Sequence, residues 1–211
     1  MSTATATLLD LDGTLVDSVY HHVVAWQDAL REAGYNVAAA RIHAGIGMGS
    51  DRLLPWLLGR HVDDADELSA AHEERFLARG EDLRPTRGAR ELLADLRARE
   101  VPFVIATSAG EAEREILLGV LGEDGDLPLA GAGEGIDSKP APDILLAACA
   151  ELAITPEQAM LVGDAPWDAV AAERAGIRAI GVRCGGFGDA ILREAGCRRI
   201  VDDPAELIGQ L

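Results

Sequence analysis

Lysine is nearly missing from this chain, cysteine is sparse, and no apolar run is long. Of 19 basic residues one is lysine, Lys139, and the rest are arginine. Against 36 acidic residues they leave a net charge of −17. A field of that sign repels anionic polymers, so neither nucleic acid nor an anionic membrane surface is an expected partner. An anionic substrate would need local positive charge or a metal. Cys149, Cys184 and Cys197 are the only cysteines, and no two stand at C-x-x-C spacing. That argues against a disulfide framework or a zinc cluster and fits a reducing, cytoplasmic compartment. No apolar stretch approaches the roughly 20 residues that a membrane span needs. Met1 to Thr7 has no basic patch or apolar run, so no secretion signal is expected.

What is present fits an α/β fold. The 211 residues, 48% of them apolar, suit one sizeable α/β domain or one carrying a smaller insert. Thr5–Leu11 reads as a buried strand ending in the turn Asp12-Gly13-Thr14. From Pro85 onward strands and helices alternate. Strands are expected at Pro102–Ala106, Leu127–Ala130, Ala159–Val162, Ile177–Val182 and Arg199–Val201. Helices are expected at Ala89–Arg99, Glu111–Leu121, Pro140–Leu152, Ala165–Ala175, Asp189–Ala195 and Pro204–Leu211. Such alternation predicts a parallel sheet with helices on both faces. Between them, residues 17–84 show helical patterns at Val19–Ala33, Asp51–Gly59 and Asp64–Arg79, a Gly-rich loop at Arg41–Ser50, and no strand. They read as a helical insertion, leaving 1–16 and 85–211 as the sheet-bearing core. No internal repeat or low-complexity linker is evident.

In an open parallel sheet ligands bind at the carboxyl ends of the strands. Asp10 and Asp12 follow the first strand, Thr107 and Ser108 the second, and Asp164 the fourth. Lys139 opens the helix expected at Pro140. Asp10, Asp12 and Asp164 make a hard, oxygen-rich set suited to Mg²⁺. Lys139 supplies a compact point charge that the planar fork of arginine does not replace. Thr107 can donate to a phosphoryl oxygen or cap the next turn. Asp168 fits either a role beside the metal or the ordinary acidic residue at a helix start.

Asp10-Leu11-Asp12-Gly13-Thr14, Thr107, Lys139-Pro140 and Gly163-Asp164-x-x-x-Asp168 together resemble, in order and spacing, the four motifs of the haloacid dehalogenase-like superfamily. The resemblance spans nearly the whole chain. It implies a Rossmann-like core with an α-helical cap inserted after the first motif. It also implies an aspartyl-phosphate mechanism: Asp10 as nucleophile, Asp12 as general acid and base, and Mg²⁺ on the Asp10 and Asp164 carboxylates and the Asp12 carbonyl. Thr107 and Lys139 would hold the phosphoryl group, Gly13 and Ser108 would contribute to substrate binding, and Asp168 would orient Lys139 or a metal-bound water.

Asp12 separates the chain from the dehalogenases, which lack it. The expected activity is a phosphatase acting on a small phosphorylated metabolite, as monomer or homodimer, with a β-phosphoglucomutase-like phosphomutase as the alternative. Asp17 to Trp26 resembles the mutase hinge, where the position of His22 assists acid–base chemistry; His22 equally fits a plain helix residue. The mutase lysine in the cap aligns near His72, and the basic residue after the second motif is replaced by Gly110 and Glu111. Arg52, after Gly45-Ile46-Gly47-Met48-Gly49, either reaches a substrate anion or is an exposed helix-start residue. Gly185-Gly186-Phe187-Gly188 reads as a flexible loop at the mouth of the site. A non-catalytic phosphate-binding module is disfavoured, because both Asp10 and Asp12 are present.

Overall fold

Short apolar strands with side chains alternating between two covered faces build the centre of the molecule. The computed structural model describes residues 5–122, 127–131 and 135–211; residues 1–4, 123–126 and 132–134 of the expected core lie outside the described residues. The strands are β1 (Ala6–Leu9), β2 (Phe103–Thr107), β3 (Leu129–Gly131), β4 (Ala159–Gly163), β5 (Arg178–Val182) and β6 (Arg199–Val201). They form one sheet in the order β3-β2-β1-β4-β5-β6, with every pairing parallel. The period of two sends neighbours to opposite faces. Leu9, Ile105, Val162 and Ile180 join the core on one face, and Leu8, Val104, Leu161 and Ala179 the core on the other.

Helices α5 (Ala89–Ala98) and α6 (Glu111–Leu121) cover the first face through Leu92, Leu93, Leu96 and Leu117. Helices α7 (Asp143–Glu151), α8 (Pro166–Ala175) and α9 (Asp189–Glu194) cover the second through Ile144, Leu145, Ala169, Ala172 and Leu192. Each fully buried leucine contributes about 1.5–3 kcal/mol to the core.

Between β1 and α5 the chain is helical: α1 (Val19–Glu32), α2 (Ala39–Gly45), α3 (Ser50–Leu58) and α4 (Ala65–Leu77). Their apolar faces close on a separate core that includes Val23, Trp26, Leu30, Ile42, Leu54 and Leu68. The two connections to the sheet run together, with Val16 bridging Pro85 and Asp17 N donating to Arg84 O at 2.9 Å.

Three elements differ from the sequence expectation. The segment read as a loop from Arg41 holds helix α2, because Ala39, Ala40 and Ala44 favour helix and Ile42 is fully buried. Helix α7 starts at Asp143, not Pro140; a residue before proline avoids the helical region, so Ala141 delays the start past Pro142. The C-terminal helix shrinks to one 3₁₀ turn, Pro204–Leu207. Ile208 leaves the helical region, at φ −59° and ψ 127°, and ends it.

Candidate active site

Strand order reverses between β1 and β4, and that switch point is where crevices open in parallel sheets. Asp10 follows β1 and Asp164 follows β4, so neighbouring strands deliver both carboxylates to one place. Lys139 arrives from the segment before α7. It is 1% exposed, and its Nζ donates to Asp10 Oδ1 at 2.5 Å and lies 2.7 Å from Asp168 Oδ1. The second contact is close in distance though off the hydrogen-bond angle. Asp168 also accepts from Ala165 N at 3.1 Å, which pins it at the first turn of α8. Thr14 stands between the acids, its hydroxyl 3.1 Å from Asp10 Oδ2 and 3.0 Å from Asp164 Oδ1.

Three carboxylates (Asp10, Asp164 and Asp168) thus cluster around one ammonium. Burial and the nearby Asp168 push Asp10 up to about 7, against the pull of Lys139. Burial, Asp10 and Asp168 hold Asp164 well above the usual carboxylate range. Burial works against the charge on Lys139, but Asp10 and Asp168 outweigh it and raise its pKa. This imbalance suits a divalent cation, and the packing agrees. Asp164 Oδ2 is buried with no protein partner. A β-carbon at Gly185 would sit 1.7 Å from that oxygen and one at Gly13 2.5 Å from it, so glycine backbone forms a cradle around the carboxylate. Oxygens of Asp10, Asp164 and Asp168 lie within 4.8 Å of one another. Lys139 contacts both Asp10 and Asp168, whereas Asp164 Oδ2 has no protein partner and is the oxygen most available to a cation.

Asp12 faces the other way. Its Oδ1 accepts from Ser18 Oγ at 2.6 Å and lies 2.9 Å from His22 Nε2. Burial would raise its pKa, but His22 and Ser18 outweigh it and hold it below the usual carboxylate range. Burial likewise opposes charge on His22, and Asp12 overrides it upward. His22 Nδ1 is 3.0 Å from His72 Nε2, and His72 Nδ1 faces Glu113 Oε1 at 3.5 Å. Burial and the His22 charge keep His72 well below the ordinary histidine value. A polar line therefore runs from Asp12 through α1 and α4 to Glu113 on α6. Aromatic stacking fixes its rings: His22 on Phe76 at 3.9 Å, and His72 on Trp26 at 4.1 Å.

Asp10, Asp12, His22, Thr107, Ser108 and Lys139 all line one cleft of about 370 Å³, and Asp164 lies beneath it through Thr14. Thr107 Oγ1 accepts from Ala109 N at 3.0 Å, which leaves its own proton free to donate. The Ser108 hydroxyl is buried without a protein partner. Gly13 takes a left-handed φ of 77° and packs against Asp164, outside the cleft lining. Arg52 is also outside it, paired with Asp51 and with Asp137. Gly185, expected in a loop at the mouth, is instead pressed on Asp164 in the 3₁₀ turn Arg183–Gly185. Sequence reasoning missed Glu73 and Glu113 in the cleft wall, and Ser18 as a partner of Asp12. Glu113, three residues after Gly110 and accepting from its N–H at 3.2 Å, carried a helix-capping signal only.

A six-stranded parallel sheet with an acid-rich switch point defines an α/β protein with a polar site at its strand ends, and comparison supplies the family. Residues 5–176 match the haloacid dehalogenase-like hydrolases, and the chain belongs to that family. It is 32% identical to the phosphoglycolate phosphatase of Rhodospirillum rubrum, over 96% of this chain and 88% of that protein. It is also 32% identical to the validoxylamine A 7'-phosphate phosphatase of Streptomyces hygroscopicus subsp. limoneus, over 83% of this chain and 84% of that one. A hydrolase of solved structure from Pseudomonas syringae superposes with a TM-score of 0.94 at 33% identity, covering 97% of this chain and 96% of that one. The chain is a phosphatase of this family. Among the described residues, no helix is long and apolar enough to cross a membrane.

Proposed function

We propose that the protein is a Mg²⁺-dependent hydrolase of small phosphate monoesters in the cytoplasm, working through a phosphorylated Asp10. In this reading residues 17–84 act as a cap over the core formed by 1–16 and 85–211. The observation that carries it is that Asp10, gripped by the buried Lys139, shares one cleft with Asp12 and its imidazole partner His22. Asp10 attacks phosphorus, and the bond from phosphorus to the alcohol oxygen breaks. The departing oxygen takes a proton from Asp12, drawn from the Asp12–His22 pair, whose geometry stores one at Nε2. Asp12 then takes a proton from water as that water attacks phosphorus, which frees Asp10 and inorganic phosphate. Lys139 and the hydroxyls of Thr107 and Ser108 hold the phosphoryl oxygens in line. The Asp10 and Asp164 carboxylates and the Asp12 carbonyl would hold the Mg²⁺, which when bound would supply positive charge against the repulsion between nucleophile and phosphoryl group.

The test is phosphate release from a panel of monoesters with Mg²⁺ and then with EDTA. Glucose 1-phosphate with its bisphosphate activator is run alongside. Metal-dependent release supports the reading. Isomerisation without release would replace it with a phosphomutase.

A further inference from the structure

The cleft has two unlike ends. At the phosphoryl end stand Asp10, Lys139, Thr107 and Ser108. The opposite wall comes from α4 and α6 and carries Ser69, His72, Glu73 and Glu113. Among the described residues lining the cleft, Lys139 is the only Lys or Arg, and Asp10 and Asp168 already hold it. Arg52 is tied to Asp137 and Arg41 to the carbonyls of Trp56 and Leu57. Residues 1–4, 123–126 and 132–134 contain no Lys or Arg.

The far wall is acidic instead. Glu73 and Glu113 converge at Gly110, where a β-carbon would lie 3.5 Å from Glu73 Oε1 and 4.0 Å from Glu113 Oε2. Glu113 faces His72, which burial keeps neutral, and among the described residues no Lys or Arg pairs with Glu73. An anion entering here would meet two carboxylates, and the cationic group nearest to them in the cleft, His22, is already paired with Asp12. A donor entering here would find acceptors that no Lys or Arg of the cleft lining pairs with.

We propose that the alcohol half of the substrate carries no anionic group and offers hydrogen-bond donors, above all an ammonium, to Glu73 and Glu113. The class is the phosphate ester of a hydroxylated or amino-bearing alcohol, as opposed to a phosphorylated carboxylic acid or a bisphosphate. This rests on the phosphatase reading above and adds the choice of ester to it.

The test compares kcat/KM with Mg²⁺ for phosphoglycolate, glucose 6-phosphate and glucosamine 6-phosphate, with p-nitrophenyl phosphate as a leaving group that carries no anion. The two sugar esters are expected to exceed phosphoglycolate by about tenfold or more, chiefly in KM, with the amino sugar ahead. Glu73→Gln should erase the lead of the amino sugar over glucose 6-phosphate. Glu73→Lys should raise kcat/KM for phosphoglycolate by about tenfold and lower it for the amino sugar. Melting temperatures of both variants check that they fold. Phosphoglycolate turned over as well as the sugar esters, or an amino-to-hydroxyl ratio unmoved by Glu73→Gln, overturns the proposal. No metal-dependent release even from p-nitrophenyl phosphate overturns the phosphatase reading itself and the proposal with it.

Discussion

Lys139 is buried at the cleft wall, and its ammonium meets both Asp10 and Asp168 at close range. Arginine carries the same charge with more volume and a different hydrogen-bond pattern. Lys139→Arg is therefore expected to lower kcat by roughly 10²-fold or more, since one preorganised donor at such a site is worth that much. Asp10→Asn keeps shape but not nucleophilicity, and should cost roughly 10³-fold or more in kcat while the protein stays folded. Steady-state phosphate release with a melting curve checks both; near-wild-type rates would remove that residue from its role. These two residues were legible in the sequence from their setting: Lys139 as a lone lysine among arginines, and Asp10 as a carboxylate closing an apolar run. Glu113, His72 and Ser18 were not legible as a network. Their contacts arise where α1, α4 and α6 pack together, with His22 and His72 50 positions apart, and no local pattern records such a meeting.

At the scale of elements, the turn after β5 carries more than its composition suggested. Glycines in sequence mark freedom, whereas here Gly185 marks a close approach, with no space for a β-carbon beside the Asp164 carboxylate. Gly185→Ala drives a methyl into that oxygen, so the carboxylate must turn away. We expect the Mg²⁺ concentration for half-maximal activity to rise about tenfold or more, as misoriented metal ligands commonly cause. A Mg²⁺ titration of activity checks this, and an unchanged midpoint would mean that the turn yields instead of Asp164. Regular elements were read well from periodicity because strands buried on both faces are short continuous apolar runs, as in Val104-Ile105-Ala106. Boundaries were read less well where one residue type serves two ends. Gly45 closes α2, with Gly47 and Gly49 beyond it, and Pro142 delays α7 where Pro140 was expected to open it.

For the whole molecule, the order of strands lay beyond periodicity, because alternation does not say which strand is central. The sheet places β1 in the middle, and that alone brings Asp10 beside Asp164. Burying like charges there couples stability to pH and metal together. Asp10 has its folded-state pKa raised from 3.8 to about 7, and that of Asp164 is raised as well. A raised carboxylate pKa means that the folded state binds protons more tightly than the unfolded one. The associated stability is fully present below about pH 4 and is lost as pH rises through about 7 in metal-free protein. A divalent cation favours the ionised carboxylates and removes that loss. The melting temperature with Mg²⁺ minus that with EDTA should therefore be small near pH 5 and grow toward pH 8. With Mg²⁺ at about 100 times its dissociation constant, the stabilisation approaches about 2.7 kcal/mol. For a chain of this size that is roughly 5–10 °C. A difference that stayed constant across this range would mean that these carboxylates do not ionise together on binding the metal. No difference at pH 8 would mean that the cradle around Asp164 holds no divalent cation at all.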